Sequence, residues 1–359
     1  MKKIIFIKSD MHDNVRLQKF FLFCKAQNFD YEFWGWNRTK RILPDNDNED
    51  NIKYILNCNT GSTIFLPFQY ILWMLVLFFR LFILRHKQQY NLMAINFESA
   101  LPCFLMSLFF KMDYLYEIRD EIALSYHFPK IIRRIILWLD HRIMHRAFRV
   151  IHVDANRITY KDCKWVIIEN SPYDFFEGKE RTYENLKLRF AVVGYLTTMR
   201  GIKQIYQFAY DNPDIDFLVA GKFEDSDIRD SFQNLSNVLY YERMPQKELF
   251  ELEQNCCAVF SLYDVSLEIN RLAASNKVYD AMMLGIPVIT NPDVINSSQI
   301  KARGTGFFVN YNYDETWDVL RSPDFLKVAI EKGKLGRKIY LKEYQFDLLL
   351  KRHFLSILK

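Results

Sequence analysis

The segment SNKVYDAMMLGIPVITNP, residues 275–292, predicts a helix followed by a short buried strand. Ser275 or Asn276 is a suitable cap for the start of the helix. Gly285 can end the helix in a left-handed turn, and the proline two residues later cannot continue it. The apolar residues after this proline are typical of a buried strand. A capped helix that leads into a buried strand is typical of α/β proteins.

The first turn of this helix carries a cation and an acid. Lys277 and Asp280 are three positions apart, so they share one face of the helix. A helix N-terminus attracts phosphate through its free backbone N–H groups and its dipole, and a lysine there adds a full charge. The acid one turn later can accept hydrogen bonds from ribose or sugar hydroxyls. The pattern predicts a site for a nucleoside diphosphate, and its alternative is an ordinary ion pair on a surface helix.

Strands and helices alternate through the rest of the C-terminal half. Two apolar strands are expected to end at Gly194 and Gly221, and further strands follow along the chain. Such an alternation predicts a parallel sheet with helices on both faces. Because ligands bind these sheets at the carboxyl ends of the strands, the positions of Arg200 and Lys277 just past such ends indicate a binding site.

Four segments of this half resemble the retaining glycosyltransferases of family 4, which have the GT-B fold. They are VVGYLTTMRGI (192–202), FLVAG (217–221), NVLYYERMPQKELFELEQNCCAVFSLY (237–263) and NKVYDAMMLGIPVITNP (276–292). The resemblance implies an α/β chain with two Rossmann-like, doubly wound domains that face a cleft, and a C-terminal helix that returns to the first domain. The implied parts are an acceptor-side domain, a nucleotide-sugar-binding domain and the returning helix, over residues 1–175, 187–340 and 341–359.

The resemblance also implies roles for individual residues. Arg200 and Lys277 match the positions that bind the donor diphosphate, and Asp280 matches an acid that contacts the nucleotide ribose. The implied donor site is completed by Gly194, Gly221 and Asn276.

Two positions depart from the family pattern. Leu272 stands where the family has the first of two glutamates, and Glu268 is nearby but out of register. Tyr195 stands where the family often has a basic residue after the strand glycine. The contacts that the family makes through these two positions are therefore not carried over to this chain.

The N-terminal half is predicted to form the other α/β domain. The expected elements are a helix over residues 15–26, a surface loop over 37–52, and strands over 3–7, 31–34, 91–95, 114–118, 150–153 and 165–168. The loop after the first strand lacks the family's glycines and contains His12, which either contacts substrate or is simply solvated. After a later strand, Arg119 replaces the histidine that the family often has. Asp120 beside it either orients the donor sugar or acceptor hydroxyl or has a structural role.

The chemistry that the resemblance implies needs no enzymic nucleophile and no metal. In similar enzymes the donor phosphate can take the acceptor proton while cations stabilise the leaving diphosphate. Asp120, Arg200 and Lys277 are therefore the catalytic candidates, with His12 and Arg119 on the acceptor side. No cofactor is expected beyond the nucleotide-sugar co-substrate. No GxGxxG motif follows a predicted strand, which disfavours a dinucleotide-dependent oxidoreductase.

Composition and two apolar segments bear on location. The net charge of +5 does not by itself indicate a nucleic-acid partner, and six cysteines without metal-type spacing favour a reducing cytosol. Residues 63–79 lack charge and predict a core or interfacial helix, with a membrane span as the alternative. Residues 130–146 mix cations with large apolar side chains, as helices on anionic membranes do, although a surface helix packed on the core has a similar pattern. We expect a cytoplasmic protein, peripheral on the inner face of the plasma membrane.

Taken together, these features favour a hexosyltransferase-type enzyme. It would move a sugar, with retention, from a nucleotide sugar to a lipid-linked surface glycan. The alternatives are a non-catalytic subunit that assembles or anchors a partner transferase, and a nucleotide-sugar epimerase of the same fold. Nucleotide binding separates the first alternative from a transferase, because a scaffold need not bind a donor.

Overall fold

The computed structural model describes residues 2–38, 51–58, 65–85, 90–119, 122, 128–158, 160–179, 181–184 and 186–358. The chain divides into two compact units, one of residues 1–169 with 349–359 and the other of residues 170–348. Each unit has its own parallel β-sheet flanked by helices. The predicted fold class of two doubly wound α/β domains is confirmed.

The first unit is built on a seven-stranded parallel sheet. Its strands are β1 (Lys3–Lys8), β2 (Tyr31–Asn37), β3 (Ile52–Asn57), β4 (Tyr90–Ile95), β5 (Tyr114–Ile118), β6 (Arg149–His152) and β7 (Trp165–Ile167). Its longer helices are α1 (Val15–Ala26), α2 (Leu66–Leu84), α3 (Phe97–Phe109) and α4 (Lys130–Arg146). The strand order β3-β2-β1-β4-β5-β6-β7 reverses direction between β1 and β4. Ligands of such sheets bind beside this reversal, at the carboxyl ends of the strands.

The predicted bounds of α1 and β5 agree with the structure, whereas β3 was not predicted. The strand β3 has the sequence IKYILN, and each of its residues is partly or fully exposed. A short, half-exposed edge strand lacks the continuous apolar run that marks a central parallel strand. Residues 39–50 of the expected loop before it lie outside the described residues.

The second unit is built on a six-stranded parallel sheet of order β10-β9-β8-β11-β12-β13. Its strands are β8 (Arg189–Leu196), β9 (Asp216–Phe223), β10 (Val238–Tyr241), β11 (Ala258–Phe260), β12 (Val288–Thr290) and β13 (Gly306–Phe308). Its helices are α5 (Ile202–Asp211), α6 (Ser226–Gln233), α7 (Gln246–Glu253), α8 (Glu268–Arg271), α9 (Asn276–Leu284), α10 (Ser297–Arg303), α11 (Phe325–Ile339) and α12 (Phe346–Leu349). The order reverses between β8 and β11, which again marks the expected place of a ligand.

The sequence predicts that Gly194 and Gly221 end their strands, but in the structure both glycines lie within their strands. Both strands continue for two residues because Gly194 pairs with Gly221 and the pairing persists to Leu196 and Phe223. A Cβ atom at Gly221 would lie 1.9 Å from the carbonyl oxygen of Gly194, and the φ of Gly221 is +145°. Gly221 therefore permits a close backbone approach rather than a strand end, while Gly194 has a φ of +103° and faces the Lys277 side chain.

The C-terminus is helical but is not the single returning helix expected over residues 341–359. After α11, π-helical turns at Tyr340–Tyr344 and Leu350–Phe354 flank the short α12, and a 3₁₀ turn follows. Residues 349–359 belong to the first unit. There, Phe354 packs edge-to-face on Phe20 of α1, with ring centroids 5.0 Å apart. The predicted return of the C-terminus to the first domain is confirmed.

Candidate nucleotide-binding site

The start of α9 is not capped by a side chain. Ser275 occupies the N-cap position, but its hydroxyl makes no cap hydrogen bond. It lies instead 2.8 Å from the hydroxyl of Ser261, which follows β11. The first N–H groups of a helix have no partner within the helix, so those of α9 can donate to an anion.

The structure brings the two predicted diphosphate-binding cations together. The amino group of Lys277 lies above Gly194, 3.5 Å from where a Cβ atom of that glycine would be. Arg200 lies in a 3₁₀ turn after β8, and its guanidinium carbon is 4.1 Å from the ring centroid of Tyr263. Both cations line one small pocket at the carboxyl ends of β8 and β11, together with Tyr195 and Tyr263.

The pKa of the Tyr263 hydroxyl shows the effect of these two positive charges. Burial alone would raise the pKa of its hydroxyl, but the charges of Arg200 and Lys277 lower it below the ordinary value. Hydrogen bonds with Ser275 and Ser261 act in the same direction. A group that stabilises a phenolate will also stabilise the negative charge of a phosphate.

A second pocket adjoins the first, since Lys277 lines both. Its volume is about 210 Å³, and Gly194, Asn276, Lys277 and Asp280 form one part of its wall. Pockets that enclose a whole drug-sized ligand have volumes of roughly 300–1,000 Å³, so this one has room for part of a nucleotide. Four of the predicted donor-site residues therefore line this pocket. Arg200 lines the smaller pocket beside it, and Gly221 lies next to Gly194 on the neighbouring strand.

Sequence reasoning missed two residues of these pockets, Tyr263 and Glu253. Tyr263 comes three residues after the end of β11. Because ligands bind at the carboxyl ends of parallel strands, its position alone could have indicated it. Glu253 is 3% exposed and lines the larger pocket. The sequence does indicate this position, because Glu253 comes four residues after Leu249 and three after Phe250. It therefore shares the face of α7 that these apolar residues form.

The far end of α9 is held by two buried arginines. Gly285 ends the helix in a left-handed turn with φ of +67°, as predicted, and its carbonyl accepts a 2.7 Å hydrogen bond from Arg181. The guanidinium of Arg337 donates to the carbonyl of Met283 at 3.0 Å and to both carboxylate oxygens of Asp174, at 2.6 and 3.0 Å. Cations at a helix C-terminus are favourable. This clamp fixes the helix that presents Lys277 and Asp280.

In the first unit, the predicted acceptor-side residue Arg119 belongs to a buried ionic network. Its Nε donates to Glu117 at 2.9 Å and its Nη1 to Asn14 at 2.6 Å, while Arg16 donates to the same glutamate at 2.7 Å. Burial alone would raise the pKa of Glu117, but Arg119 and Arg16 lower it. The network holds Arg119 at the carboxyl end of β5, where it can position a substrate group but cannot act as a base.

His12 is buried, in contrast to the solvated alternative considered for it. It is 9% exposed, and its Nδ1 lies 2.5 Å from the hydroxyl of Tyr54. Asp120, the catalytic candidate of this half, lies outside the described residues. Its role therefore stays a prediction.

Within the described part of the chain, three potential metal ligands cluster at His141, Asp162 and Cys163. His141 pairs with Asp162 at 3.0 Å. Burial raises the pKa of the Cys163 thiol to about 11, which disfavours the thiolate that a metal needs. The cluster is accounted for by the hydrogen bond between His141 and Asp162, and no metal role is assigned to it.

No family model and no curated protein matches the chain, but solved structures match nearly all of it. Sucrose-phosphate synthase from Thermosynechococcus elongatus has a TM-score of 0.69 and 12% identity, over 98% of this chain and 97% of its own. Anabaena HepE in complex with UDP and glucose has a TM-score of 0.69 and 11% identity, over 100% of both chains. WaaG, a glycosyltransferase involved in lipopolysaccharide biosynthesis, has a TM-score of 0.63 and 12% identity, over 97% and 98%. The likeness shows that the chain has the GT-B fold of these glycosyltransferases.

Proposed function

We propose that this protein is a retaining glycosyltransferase similar to those of family 4. It would transfer a hexose from a nucleotide sugar to a lipid-linked surface glycan. The observation that carries the proposal is the pairing of Arg200 and Lys277 beside an uncapped helix start, at the carboxyl ends of parallel strands. The GT-B fold, and the UDP and glucose bound by HepE, support a nucleotide-sugar donor.

The residues of the second unit suit the departure of a diphosphate. Lys277, Arg200 and the N–H groups of α9 would stabilise the charge that grows on the leaving phosphate, and they are already in place before the reaction. Asp280 would hold the ribose, which positions the donor. This scheme uses no metal ion and no enzymic nucleophile.

A screen of nucleotide sugars tests the proposal. The protein would be incubated with UDP-, GDP- and ADP-hexoses, with and without a mixture of lipid-linked glycans, and nucleoside diphosphate release would be measured. Release from one class of donor that rises when acceptor is added supports a transferase. A protein that binds none of these donors in calorimetry would instead be a scaffold, and interconversion of free nucleotide sugars would indicate an epimerase.

We further propose that the first unit lies on an anionic membrane. The helix α2 has 19 residues. Its most apolar stretch of 18 residues has a mean hydropathy of 1.9, and only 17% of that stretch is buried. By length and composition it could cross a membrane, and it is the single such helix among the described residues. Trp73, Leu77 and Leu81 form its buried stripe. The opposite face presents Phe68 and Phe79, which are 68% and 63% exposed.

The exposed apolar surface extends over two neighbouring helices, because α2 packs on α3 and α3 packs on α4. Phe109 at the end of α3 and Trp138 of α4 are 76% and 59% exposed. Exposed cations of α4 flank this surface, namely Lys130, Arg133 and Arg134. Apolar side chains flanked by cations are typical of a helix that lies at the surface of an anionic bilayer. Since the buried stripe of α2 packs on the sheet, we favour peripheral attachment over a span.

Reversing the charge of Arg133 and Arg134 should release the protein from vesicles that contain anionic lipid. Each cation near such a surface contributes about 1 kcal/mol, so the double Arg→Glu variant should lose binding at least tenfold, most clearly at low salt. Flotation with vesicles of neutral and of mixed anionic lipid measures the effect. The matched control reverses Lys301 and Lys327, two exposed lysines of the second unit. Equal flotation of both variants would contradict the proposal, and resistance to high-salt extraction would favour a span by α2.

Replacing Asp280 and replacing Asp120 should impair different steps of the reaction. Asp280→Asn should raise the KM for the donor several-fold with little change in kcat, because a ribose contact is made equally in the ground and transition states. Asp120→Asn should lower kcat and leave the affinity for nucleoside diphosphate nearly intact. Steady-state rates and calorimetry on both variants distinguish these outcomes. If Asp120→Asn turns over at the wild-type rate, Asp120 has no catalytic role and the chemistry rests on Arg200 and Lys277 alone.

A further inference from the structure

The larger pocket of the second unit contains a buried acid that the reaction scheme leaves unused. Glu253 is 3% exposed, and it lies in the pocket wall with Leu249 and Phe250 of its own helix. None of the described residues donates a hydrogen bond to its carboxyl group. A buried polar group without such a bond carries a cost that a ligand can remove.

The groups around the pocket follow the order of the parts of a nucleotide. Lys277 and the start of α9 lie where the two pockets meet, Asp280 comes one turn later, and Glu253 faces them from α7 beside apolar residues. A nucleoside diphosphate has the same order of groups, from anionic phosphates through ribose hydroxyls to a flat base with polar edges. The part of the pocket left for the base is therefore the part that Glu253 lines.

We propose that Glu253 is the residue that reads the nucleobase, and that its carboxylic acid group hydrogen-bonds a base edge with an N–H donor beside a carbonyl acceptor, as in uracil. This inference rests on the proposed function, because it assigns the donor of the same site. A carboxylic acid offers one O–H donor and one carbonyl acceptor side by side. It therefore matches the imide edge of uracil, and it also matches the N1–H and O6 edge of guanine. An ionised carboxylate offers only acceptors, and would match the two adjacent N–H donors of guanine instead.

The surroundings of Glu253 favour the acid form. Burial and the nearby charge of Asp280 together raise the pKa of Glu253 to about 8, against the opposing effect of Lys277. Cys256, just after α7, also lies within its electrostatic reach, and the pKa of that buried thiol is raised well above its ordinary value. Near neutral pH Glu253 is therefore largely protonated. As the pH rises through about 8 it loses its donor and places a second negative charge beside Asp280.

The test is calorimetric titration of the whole protein with UDP and with GDP between pH 6.5 and 8.8. The affinity of wild type for UDP should fall several-fold relative to its affinity for GDP between pH 6.5 and pH 8.8, because the ionised carboxylate repels the uracil carbonyls but accepts from both guanine N–H groups. Glu253→Gln keeps a donor and an acceptor without a charge, so its affinity for UDP should stay constant over this range. Glu253→Met should bind UDP more weakly than wild type at pH 7, and its affinity should not change over this pH range. The exposed Glu251 of the same helix provides the control, because Glu251→Gln should behave as wild type.

Tyr263 is a second titratable group at the site, and the charges of Arg200 and Lys277 lower the pKa of its hydroxyl below the ordinary value. Tyr263→Phe separates the two groups, because it should keep the pH-dependent preference for UDP if Glu253 is the cause. A measurement without ligand adds a second check. An acid whose folded-state pKa is raised loses stability as the pH rises from its ordinary pKa to the raised one. The unfolding free energy of wild type relative to Glu253→Gln should therefore fall between pH 5 and pH 8 and then level off.

Each outcome decides one of the two proposals. Binding of UDP by wild type with the same pH profile as Glu253→Gln overturns the role of Glu253 and leaves the transferase proposal standing. A constant difference in unfolding free energy between the two proteins from pH 5 to 9 also overturns it. If wild type binds neither nucleotide at any pH, the proposed function fails, and this inference fails with it.

Discussion

Replacing Lys277 with alanine should weaken the binding of nucleoside diphosphate at least tenfold, and up to about a hundredfold. The amino group lies at the start of α9 and above Gly194, where it can reach a phosphate that also accepts from the helix N–H groups. Hydrogen bonds to charged groups contribute about 1.5–3 kcal/mol, and each 1.4 kcal/mol is tenfold in affinity. Calorimetry with UDP and GDP measures the loss. Because Lys277 is partly exposed at a helix start, the thermal stability of the variant should stay near that of wild type.

Three further variants show whether the loss comes from position or only from charge. Lys301→Ala removes one exposed positive charge from α10 of the same unit and should leave binding unchanged within about twofold. Arg200→Ala should weaken binding to a similar degree as Lys277→Ala. The double variant should lose less than the sum of the two free energies if both cations contact one diphosphate. Unchanged affinity in Lys277→Ala would remove this residue from the donor site and the proposed function with it.

The features that could be predicted from the sequence are those with local signals. The helix α9 has a polar start, a glycine at its end and a proline beyond, and the structure has it at Asn276–Leu284. Strands of the two sheets are nearly continuous apolar runs, so most were found within one or two residues. Since a parallel sheet aligns the carboxyl ends of its strands, the neighbourhood of Arg200 and Lys277 followed from order alone.

The features that could not be predicted depend on contacts between distant segments. Arg337 and Asp174 are 163 positions apart, and neither carries a local sign of its partner. The edge strand β3 has no periodic pattern, because its residues are half exposed. The expected strand ends at Gly194 and Gly221 were wrong because glycine also serves where two backbones approach closely within a sheet.

Replacing Arg337 with methionine should lower the free energy of unfolding of the second unit by about 3–5 kcal/mol, the usual cost of breaking a buried ion pair by removing one partner. The Arg337 and Asp174 side chains are 8% and 11% exposed. The change removes two hydrogen bonds to the carboxylate and leaves Asp174 without its cation. It also leaves the carbonyl of Met283 without a donor at the end of α9. Urea unfolding gives the total effect, and hydrogen exchange in peptides from residues 276–290 gives its location.

The exposed pair of Arg321 and Asp318 is the matched control, because its side chains are 52% and 58% exposed. Arg321→Met should cost less than about 1 kcal/mol. The effect of Arg337→Met should also depend on pH. Burial alone would raise the pKa of Asp174, but Arg337 and two backbone N–H groups lower it, so the ion pair stabilises fully above pH ~4 and is lost as the pH falls through the lowered pKa. A loss in Arg337→Met no greater than in the control, or one that persists unchanged at pH 2, would show that α9 does not depend on this clamp. The expected loss, with faster exchange confined to the 276–290 peptides, would show that the helix presenting Lys277 and Asp280 is held from its far end.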